Sequence, residues 1–343
     1  MNDAQGLTEF DIIRRYFSTI GGEGSISKNN TSNHHAVALG VGDDCALLNI
    51  PSGQQLALSI DTLIADRHFP AQANPFDIGQ RALAVSISDL AAMGARPVAF
   101  TLALSLPEVD QNWLQGFSQG LATAAAFYDV PLVGGDTTHG SLSITVQVHG
   151  LVKTDSAMLR SAAREGDSIF VSGYLGDAAA ALEVIQGRLS VNSNTQNYLL
   201  KRFYQPEARV KLGQAIADLS HAAIDVSDGL LADLGHILKA SSVNAQRVLA
   251  ADIQLSQIPV SPESSNILDR QKLLSFALSG GDDYELCFTV PQKNKQHVIE
   301  VGKKLLLPLT EIGQVVTAES SAVRCFDDSG QLVEISKQGY QHF

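Results

Sequence analysis

Six apolar runs in this chain of 343 residues end abruptly in an acid. Ala38-Leu39-Gly40-Val41-Gly42 meets Asp43-Asp44, Leu56–Ile60 meets Asp61, and Ala82–Ser88 meets Asp89. Pro131–Gly135 meets Asp136, Ala222–Ile224 meets Asp225 with Asp228 three residues on, and Phe276–Gly281 meets Asp282-Asp283. Acids at the ends of buried elements, often beside glycine, are expected to converge on one rim of a core. Two carboxylates ~5 Å apart repel by roughly 3 kcal/mol at an effective dielectric near 20. Such a set stays ionised only beside cations. Carboxylate oxygens suit Mg²⁺, which binds through one or two of them together with substrate phosphates. The pattern points to a nucleotide site with several magnesium ions.

Taken one at a time, each acid has a plainer reading as a turn or a helix N-cap. Asp177, after Gly176 and before an alanine-rich stretch, reads as such a cap, and Asp66, Asp155 and Asp167 read as ordinary polar positions. Asp89 resists that reading, because it falls inside an alanine- and leucine-rich helix where a buried charge needs a partner. In Asp225-Val226-Ser227-Asp228-Gly229 a hydroxyl stands between two acids. Gly134-Gly135-Asp136-Thr137-Thr138 offers backbone N–H groups that can approach a phosphate closely. Arg160 could clamp a phosphate or lie on the surface. His68 could be a ligand or a structural histidine. Tyr340, in an aromatic C-terminal segment, reads as docked rather than frayed. No G-x-x-x-x-G-K-[ST] loop and no G-x-G-x-x-G turn occurs, so neither a P-loop nor a dinucleotide fold is expected. Cys45 beside Asp44 is a poor nucleophile, since neighbouring negative charge disfavours the thiolate.

The elements that must position these residues follow from periodicity and punctuation. Thr8–Ile20 predicts an amphipathic helix with Phe10, Ile13 and Phe17 on one face, and Gly21–His35 a loop. Strands are expected at His35–Val41 and Leu56–Ile60. A helix should open near Pro75 and Asp77, continue over Ile78–Met93 and stop at Gly94 and Pro97. Strand Val98–Leu106, helix Trp113–Tyr128, short strand Pro131–Val133 and strand Leu142–Val152 complete the first half. After a polar break at Lys153–Glu165 come strand Ser168–Ser172 and helix Ala178–Gln186. Val191–Tyr198 reads as a polar connection, Pro206–Leu219 and Leu230–Ala240 as helices. Strands Glu285–Val290, Leu309–Val315 and Ser321–Phe326 end the second half. Consecutive strands mark the class as α+β, with two α/β lobes, rather than strict βαβ alternation.

Composition bounds the reading. The length favours two domains. Lys+Arg 24 against Asp+Glu 36 gives a net charge of -12, which argues against nucleic-acid and anionic-membrane partners while leaving room for a nucleotide bridged by cations. Three unpatterned cysteines suit a reduced, cytoplasmic protein rather than a disulfide scaffold, and no zinc spacing is present. Neither a signal peptide nor an apolar run of membrane-spanning length is visible.

As a set, these motifs carry a resemblance. Gly40–Ala46, Ser59–Leu63, His68-Phe69, Ser88–Ala95, Gly134–Thr138, Asp225–Leu230, Ser279–Leu286 and Gly339-Tyr340 stand in the order of the thiamine-monophosphate kinase family, within the aminoimidazole-ribonucleotide-synthetase superfamily, which the chain closely resembles. The resemblance implies ATP-dependent phosphorylation of thiamine monophosphate to thiamine diphosphate by direct in-line transfer. It implies several Mg²⁺ held by Asp43, Asp44, Ser59, Ile60 (through its backbone), Asp61, Asp89, Asp136, Asp225 and Asp228. It implies ATP contacts from Gly135, Asp136, Arg160 and Ser227, and substrate contacts from His68, Asp282 and Tyr340. No catalytic base is required, since the acceptor is already an anion. Residues 1–153 would bind ATP and magnesium and pair across a homodimer into a β-barrel, and residues 154–343 would complete the phosphate and substrate site. Two positions depart from the family: Asp282 replaces a common glutamate, and His139 stands where arginine is frequent. The competing readings are a selenophosphate synthetase, which wants a reactive cysteine upstream of Cys45, a magnesium phosphohydrolase, and a cation-binding scaffold.

Overall fold

The computed structural model describes residues 7–20 and 36–335. The expectations for the Gly21–His35 loop and for Tyr340 lie outside the described residues. The chain divides into two compact units: the first runs to Leu90 and resumes over Ala95–Thr154, while the second takes Ala91–Gly94 and the described chain from Asp155 on.

The first unit opens with α1 (Glu9–Ile12), where Thr8 and Asp11 form a capping box, and continues through one wider turn, Ile13–Phe17. A small hairpin of β1 (Val37–Leu39) and β2 (Leu47–Leu48) follows. Then come β3 (Gln54–Ile64), α2 (Pro75–Ala92), β4 (Arg96–Leu106), α3 (Gln111–Tyr128), β5 (Leu132–His139) and β6 (Ser143–Lys153). The main sheet has the order β3-β6-β4-β5, with β4 and β5 parallel and the other pairs antiparallel. Asn74 starts α2, its side chain accepting from the Phe76 N–H at 3.0 Å. Asp110 does the same for α3 through the N–H groups of Asn112 and Trp113, and Asp129 ends that helix in a left-handed conformation at φ 52°. The apolar faces of both helices, including Ile78, Leu83, Ile87, Leu114, Phe117 and Leu121, are fully buried.

The second unit contains β7 (Ser168–Ser172), α4 (Asp177–Ile185), α5 (Ser193–Tyr204), α6 (Val210–Ile216), β8 (Ala222–Asp225), α7 (Leu230–Ala245), β9 (Leu249–Gln254), α8 (Pro262–Ser265), α9 (Arg270–Ser279), β10 (Leu286–Val290), α10 (Lys295–Leu305), β11 (Leu309–Thr317), β12 (Val323–Phe326) and β13 (Leu332–Val333). Its seven strands run β13-β12-β9-β11-β7-β10-β8, antiparallel except for β12 beside β9. Strands β7, β8 and β10 are buried along their whole length. One core joins α7 and α9 to the sheet, and another joins α6 and Val298 of α10 to it.

The mixed α/β content matches the expectation, with specific differences. The polar stretch Val191–Tyr198 belongs largely to α5, because Asn192 caps it through the Thr195 N–H and Thr195 and Leu199 turn inward. The helix expected over Pro206–Leu219 is confined to α6. Strands β2, β9 and β13 and helices α8, α9 and α10 were not expected as elements. Asp89 lies inside α2 as expected; most consequentially, Asp61 and Asp136 lie within β3 and β5 rather than at their ends, and of the six acid positions Asp225 alone closes its strand.

Phe117 stacks on Trp113 at 4.9 Å between ring centroids and meets Phe17 edge-on at 6.3 Å, with no exposure of its own. Truncating it should cost about 3–5 kcal/mol through lost transfer energy and the cavity left behind. F117A in urea, followed by tryptophan fluorescence, should show that loss; a change under 1 kcal/mol would mean this core repacks freely.

Candidate active site

Alternation along β3 decides what each of its residues can do. Ser59, Asp61 and Leu63 turn toward the sheet's covered face, while Leu58, Ile60 and Thr62 face outward. Asp61 lies opposite Val146 of β6. On α2, Asp89 accepts a short hydrogen bond from the Ser59 hydroxyl. Burial first, and then the negative charge of Asp89, push the Asp61 carboxyl up to about 6 against an opposing hydrogen bond from Ser86. This strand and helix thus press two acids together, with no cationic side chain paired to either among the described residues.

A second group lines a cavity of about 480 Å³. Val41, Gly42, Asp43, Asp44 and Cys45, from the turn after β1, form one side, and Gly134, Gly135, Asp136 and Thr137 of β5 another. The Asp44 N–H donates to the Asp43 carboxylate at 2.8 Å, and both acids are exposed, as is Asp136. At Gly135 a Cβ would stand 1.9 Å from the Leu102 carbonyl oxygen across the parallel β4–β5 pair, so only glycine fits. Its bare backbone therefore opens into the cavity. His139, the last residue of β5, is exposed and paired in register with Leu106. The remaining wall is mostly apolar, Phe10, Ile13, Phe17, Leu102, Leu132 and Val133, with Glu9 as a further acid. Sequence reading did not assign these to the site, although the amphipathic face expected for Thr8–Ile20 already carried three of them.

His68 sits on the turn after β3. Its Nδ1 accepts from the Ile64 N–H at 3.0 Å, which places the ring proton of the neutral form on Nε2. Asp66 supports this turn with φ 60°, its side chain accepting from the Ala71 N–H at 2.9 Å.

In the second unit, β8 ends in buried Asp225, followed by half-buried Ser227 and Asp228. The Asp282 N–H donates to the Ser227 carbonyl at 2.8 Å, and the Tyr284 N–H to the Val226 carbonyl at 2.9 Å. The two acidic loops are therefore braced against one another. Gly281 makes this possible: at φ 70°, a side chain there would approach the Ser227 carbonyl oxygen to 2.5 Å. Asp282, at φ 62°, accepts from the Tyr284 hydroxyl at 3.0 Å. Arg160 is exposed, and its carbonyl accepts from the Ser241 hydroxyl at 2.9 Å.

Behind these loops lies a buried ionic network that sequence reading missed. The Glu285 carboxylate accepts from Arg209 Nε at 2.7 Å and Nη2 at 2.6 Å, from Arg202 Nη2 at 3.1 Å and from the Ser172 hydroxyl at 2.6 Å. Burial pushes its carboxyl up, but the two guanidiniums and the Ser172 hydroxyl leave it below the usual range. Asp177 is not the cap expected of it. Gly176 holds the cap position of α4, and Asp283 accepts from the Gly176 N–H at 2.8 Å. Asp177 instead is fully buried and accepts from the hydroxyls of Ser261, Ser264 and Tyr198 at 2.6, 2.6 and 2.7 Å. The signal in sequence was the paired acid after Gly280-Gly281; the arginines, remote along the chain, gave none.

The structure thus gathers Asp43, Asp44, Gly135 and Asp136 on one cavity, Ser59, Asp61 and Asp89 on one face, and Asp225, Ser227, Asp228 and Asp282 on braced loops. Among the described residues, no three His, Cys, Asp or Glu side chains stand close enough to make a metal cage by themselves. The donors are nonetheless all hard oxygens, and the Asp61–Asp89 crowding is what a bound cation would relieve. That suits Mg²⁺, which leaves positions for phosphate and water.

Residues 42–152 match the model of the AIR synthase related protein, N-terminal domain. The thiamine-monophosphate kinase of Escherichia coli K12 is 46% identical over 336 residues, covering 98% of each chain. A crystal structure of thiamine-monophosphate kinase from Stenotrophomonas maltophilia K279a is 42% identical, with a TM-score of 0.79 over 87% of this chain and 92% of that one. AaThiL complexed with AMPPCP and TMP is 30% identical, with a TM-score of 0.73 over 85% of this chain and 89% of that one.

Removing the Glu285 carboxylate takes the shortest ion pairs from two buried guanidiniums, leaving Arg202 with Asp177 at 3.5 Å and Arg209 with Glu207 at 3.3 Å. E285A should cost about 3–5 kcal/mol of stability, and E285Q somewhat less, as read by chemical unfolding. A loss below about 1 kcal/mol for E285A would show that the arginines find other partners.

Proposed function

The chain belongs to the thiamine-monophosphate kinase family, and we propose that it transfers the γ-phosphoryl group of ATP to thiamine monophosphate, giving thiamine diphosphate and ADP as the last step of thiamine diphosphate formation. The single structural observation that carries the reading is the Asp61–Asp89 pair, two acids pressed together on motif-bearing elements with no cationic partner among the described residues. The whole-chain likeness to thiamine-monophosphate kinases supports it. The direct test is incubation of the protein with magnesium, ATP and thiamine monophosphate, followed by detection of thiamine diphosphate; ADP formation independent of the acceptor would overturn the reading.

In this proposal Asp44, Asp61, Asp89, Asp136, Asp225 and Asp228 hold several Mg²⁺, with Asp43, Ser59 and the Ile60 backbone beside them. The ions supply charge neutralisation to two polyanions, the main requirement of phosphoryl transfer. Gly135 and Asp136 receive ATP on the β5 backbone, with Ser227 and Arg160 as further phosphate contacts. His68, donating from Nε2, with Asp282 and Tyr340, binds thiamine monophosphate. The acceptor phosphate attacks directly, so no protein nucleophile and no general base take part. The first unit is the ATP, magnesium and dimerisation domain, and the second completes the phosphate and substrate site.

A homodimer belongs to the same reading. Strand β3 stands at the edge of its sheet, and Leu56, Leu58, Ile60 and Ile64 on its outward face are 38–61% exposed. An eleven-residue apolar edge strand calls for a cover, and a second copy closing a β-barrel is the one we propose. A cytoplasmic location is supported by the three free cysteines. Among the described residues, no helix is long and apolar enough to cross a membrane.

D89N and D136N keep side-chain shape while removing charge. Each should lower turnover at least about 100-fold at low millimolar Mg²⁺ while leaving the melting temperature equal or higher, since carboxylate repulsion is relieved. Near-normal turnover in either variant would remove that residue from the metal set. Direct transfer also predicts no acid-stable label on the protein after exposure to γ-labelled ATP.

Tyr340 separates substrate stacking from packing. An aromatic face attracts the thiazolium cation by ~0.5–2 kcal/mol, so Y340A should raise KM for thiamine monophosphate roughly 3- to 30-fold with little change for ATP, and Y340F should be mild. Equal weakening of both substrates with a lower melting temperature would make Tyr340 structural.

A further inference from the structure

Asp233 was not among the acids that sequence reading singled out, yet it is the one most engaged with a candidate loop. It lies in the first turn of α7 and is 2% exposed. One of its carboxylate oxygens, Oδ2, accepts from the backbone N–H groups of Ser227, Asp228 and Gly229, each at 3.1 Å. Three consecutive amides turned to a single buried oxygen fix the path of the loop, because the buried Gly229 donor and the half-buried Ser227 and Asp228 donors would otherwise lose this partner. Gly229 completes the fit, since a Cβ there would lie 2.9 Å from Ser279 Cα. The clamped segment carries two neighbours: the Asp228 side chain, and the Asp282 N–H, which donates to the Ser227 carbonyl.

We propose that Asp233 is a positioning residue that sets both the cation-holding carboxylate of Asp228 and the substrate-holding loop at Asp282 by clamping the backbone over Ser227–Gly229. This rests on the proposed function. Asp233 touches neither substrate nor cation. It works through backbone, so Asp228 and Asp282 are coupled, and loosening the clamp should degrade cation and acceptor binding together; the ATP contact of Ser227 loosens with them, while those of Gly135 and Asp136 are left alone. An acid suits the task because an asparagine can present the same acceptor oxygen, whereas an apolar residue of similar volume strands three amides.

The test uses the full-length protein, wild type and three variants: D233A, D233N and D233L, the last filling the same buried volume should D233A fail to fold. Amide hydrogen exchange reads the clamp, Mn²⁺ titration followed by electron paramagnetic resonance reads cation binding, and steady-state kinetics read the two substrates. The clamp predicts at least tenfold faster exchange at 227–229 in D233A or D233L. It predicts Mn²⁺ binding weakened about tenfold and KM for thiamine monophosphate raised about tenfold, with a smaller rise of about threefold in KM for ATP through Ser227. D233N should recover most of each. Unchanged Mn²⁺ binding and KM despite faster exchange would overturn the proposal. So would losses in all four readouts that merely follow the melting temperature, with no recovery in D233N. A wild-type protein that turns over no thiamine monophosphate would sink the functional reading; the exchange and Mn²⁺ arms would still decide whether Asp233 positions Asp228.

Discussion

Negative charge must be balanced wherever it is crowded, and this molecule balances it in two different ways. Glu285 is fully buried and carries its own compensation in Arg202, Arg209 and Ser172. Asp61 and Asp89 are crowded as well, but among the described residues the relief comes from serine hydroxyls, Ser59 and Ser86, and burial first, then Asp89, raise the Asp61 carboxyl to about 6. An acid whose charge is met inside the fold is part of the scaffold. An acid held beside another with nothing to meet it is poised for something that arrives from outside. The distinction sorts the chain's acids better than their position beside glycine does.

The scaffold half of that division explains how the second unit keeps its loops in place. Glu285 leads directly into β10, whose two neighbours are β7, ending in Ser172, and β8, ending in Asp225. The Ser172 hydroxyl both donates to Glu285 and accepts from the Leu286 N–H at 2.9 Å. The Glu285 carbonyl accepts from the Val226 N–H at 2.8 Å. The buried ion pair therefore fixes the register at the ends of three strands, and both acidic loops start from that anchored edge. Replacing a buried pair by apolar residues often costs nothing in stability, so its value here lies in specifying where β8 and β10 stop.

Legibility in the sequence followed the range of the interactions. Helices α2, α3 and α7 were readable because their apolar spacing is a local signal, joined in α2 by the Pro75 start and the Gly94 stop. The acids themselves were readable, since glycine and aspartate at the end of an apolar run is a short pattern. What failed was everything set by partners distant in sequence. Asp177 looked like a cap because a cap is decided within four residues, whereas its actual hydroxyl partners, Ser261 and Ser264, lie more than eighty residues away. The polar stretch before Leu199 looked like a connection because its few inward residues are sparse. Asp61 and Asp136 looked like strand ends because an acid in mid-strand is costly unless that face meets solvent or a site, which only the fold reveals.

The departure at Asp282 can be argued on the same terms. Its backbone holds φ 62°, in the left-handed region, and Tyr284 two residues on holds φ 51°. Aspartate enters that region more readily than longer side chains, since its short carboxylate can be satisfied locally. Here the Tyr284 hydroxyl supplies that local bond at 3.0 Å. The shorter reach relative to glutamate is thus set against a backbone conformation that aspartate adopts more easily, and against a loop already tied to the Ser227 carbonyl. In the proposed substrate role, the loop would present its carboxylate by backbone placement where a glutamate would use one more methylene.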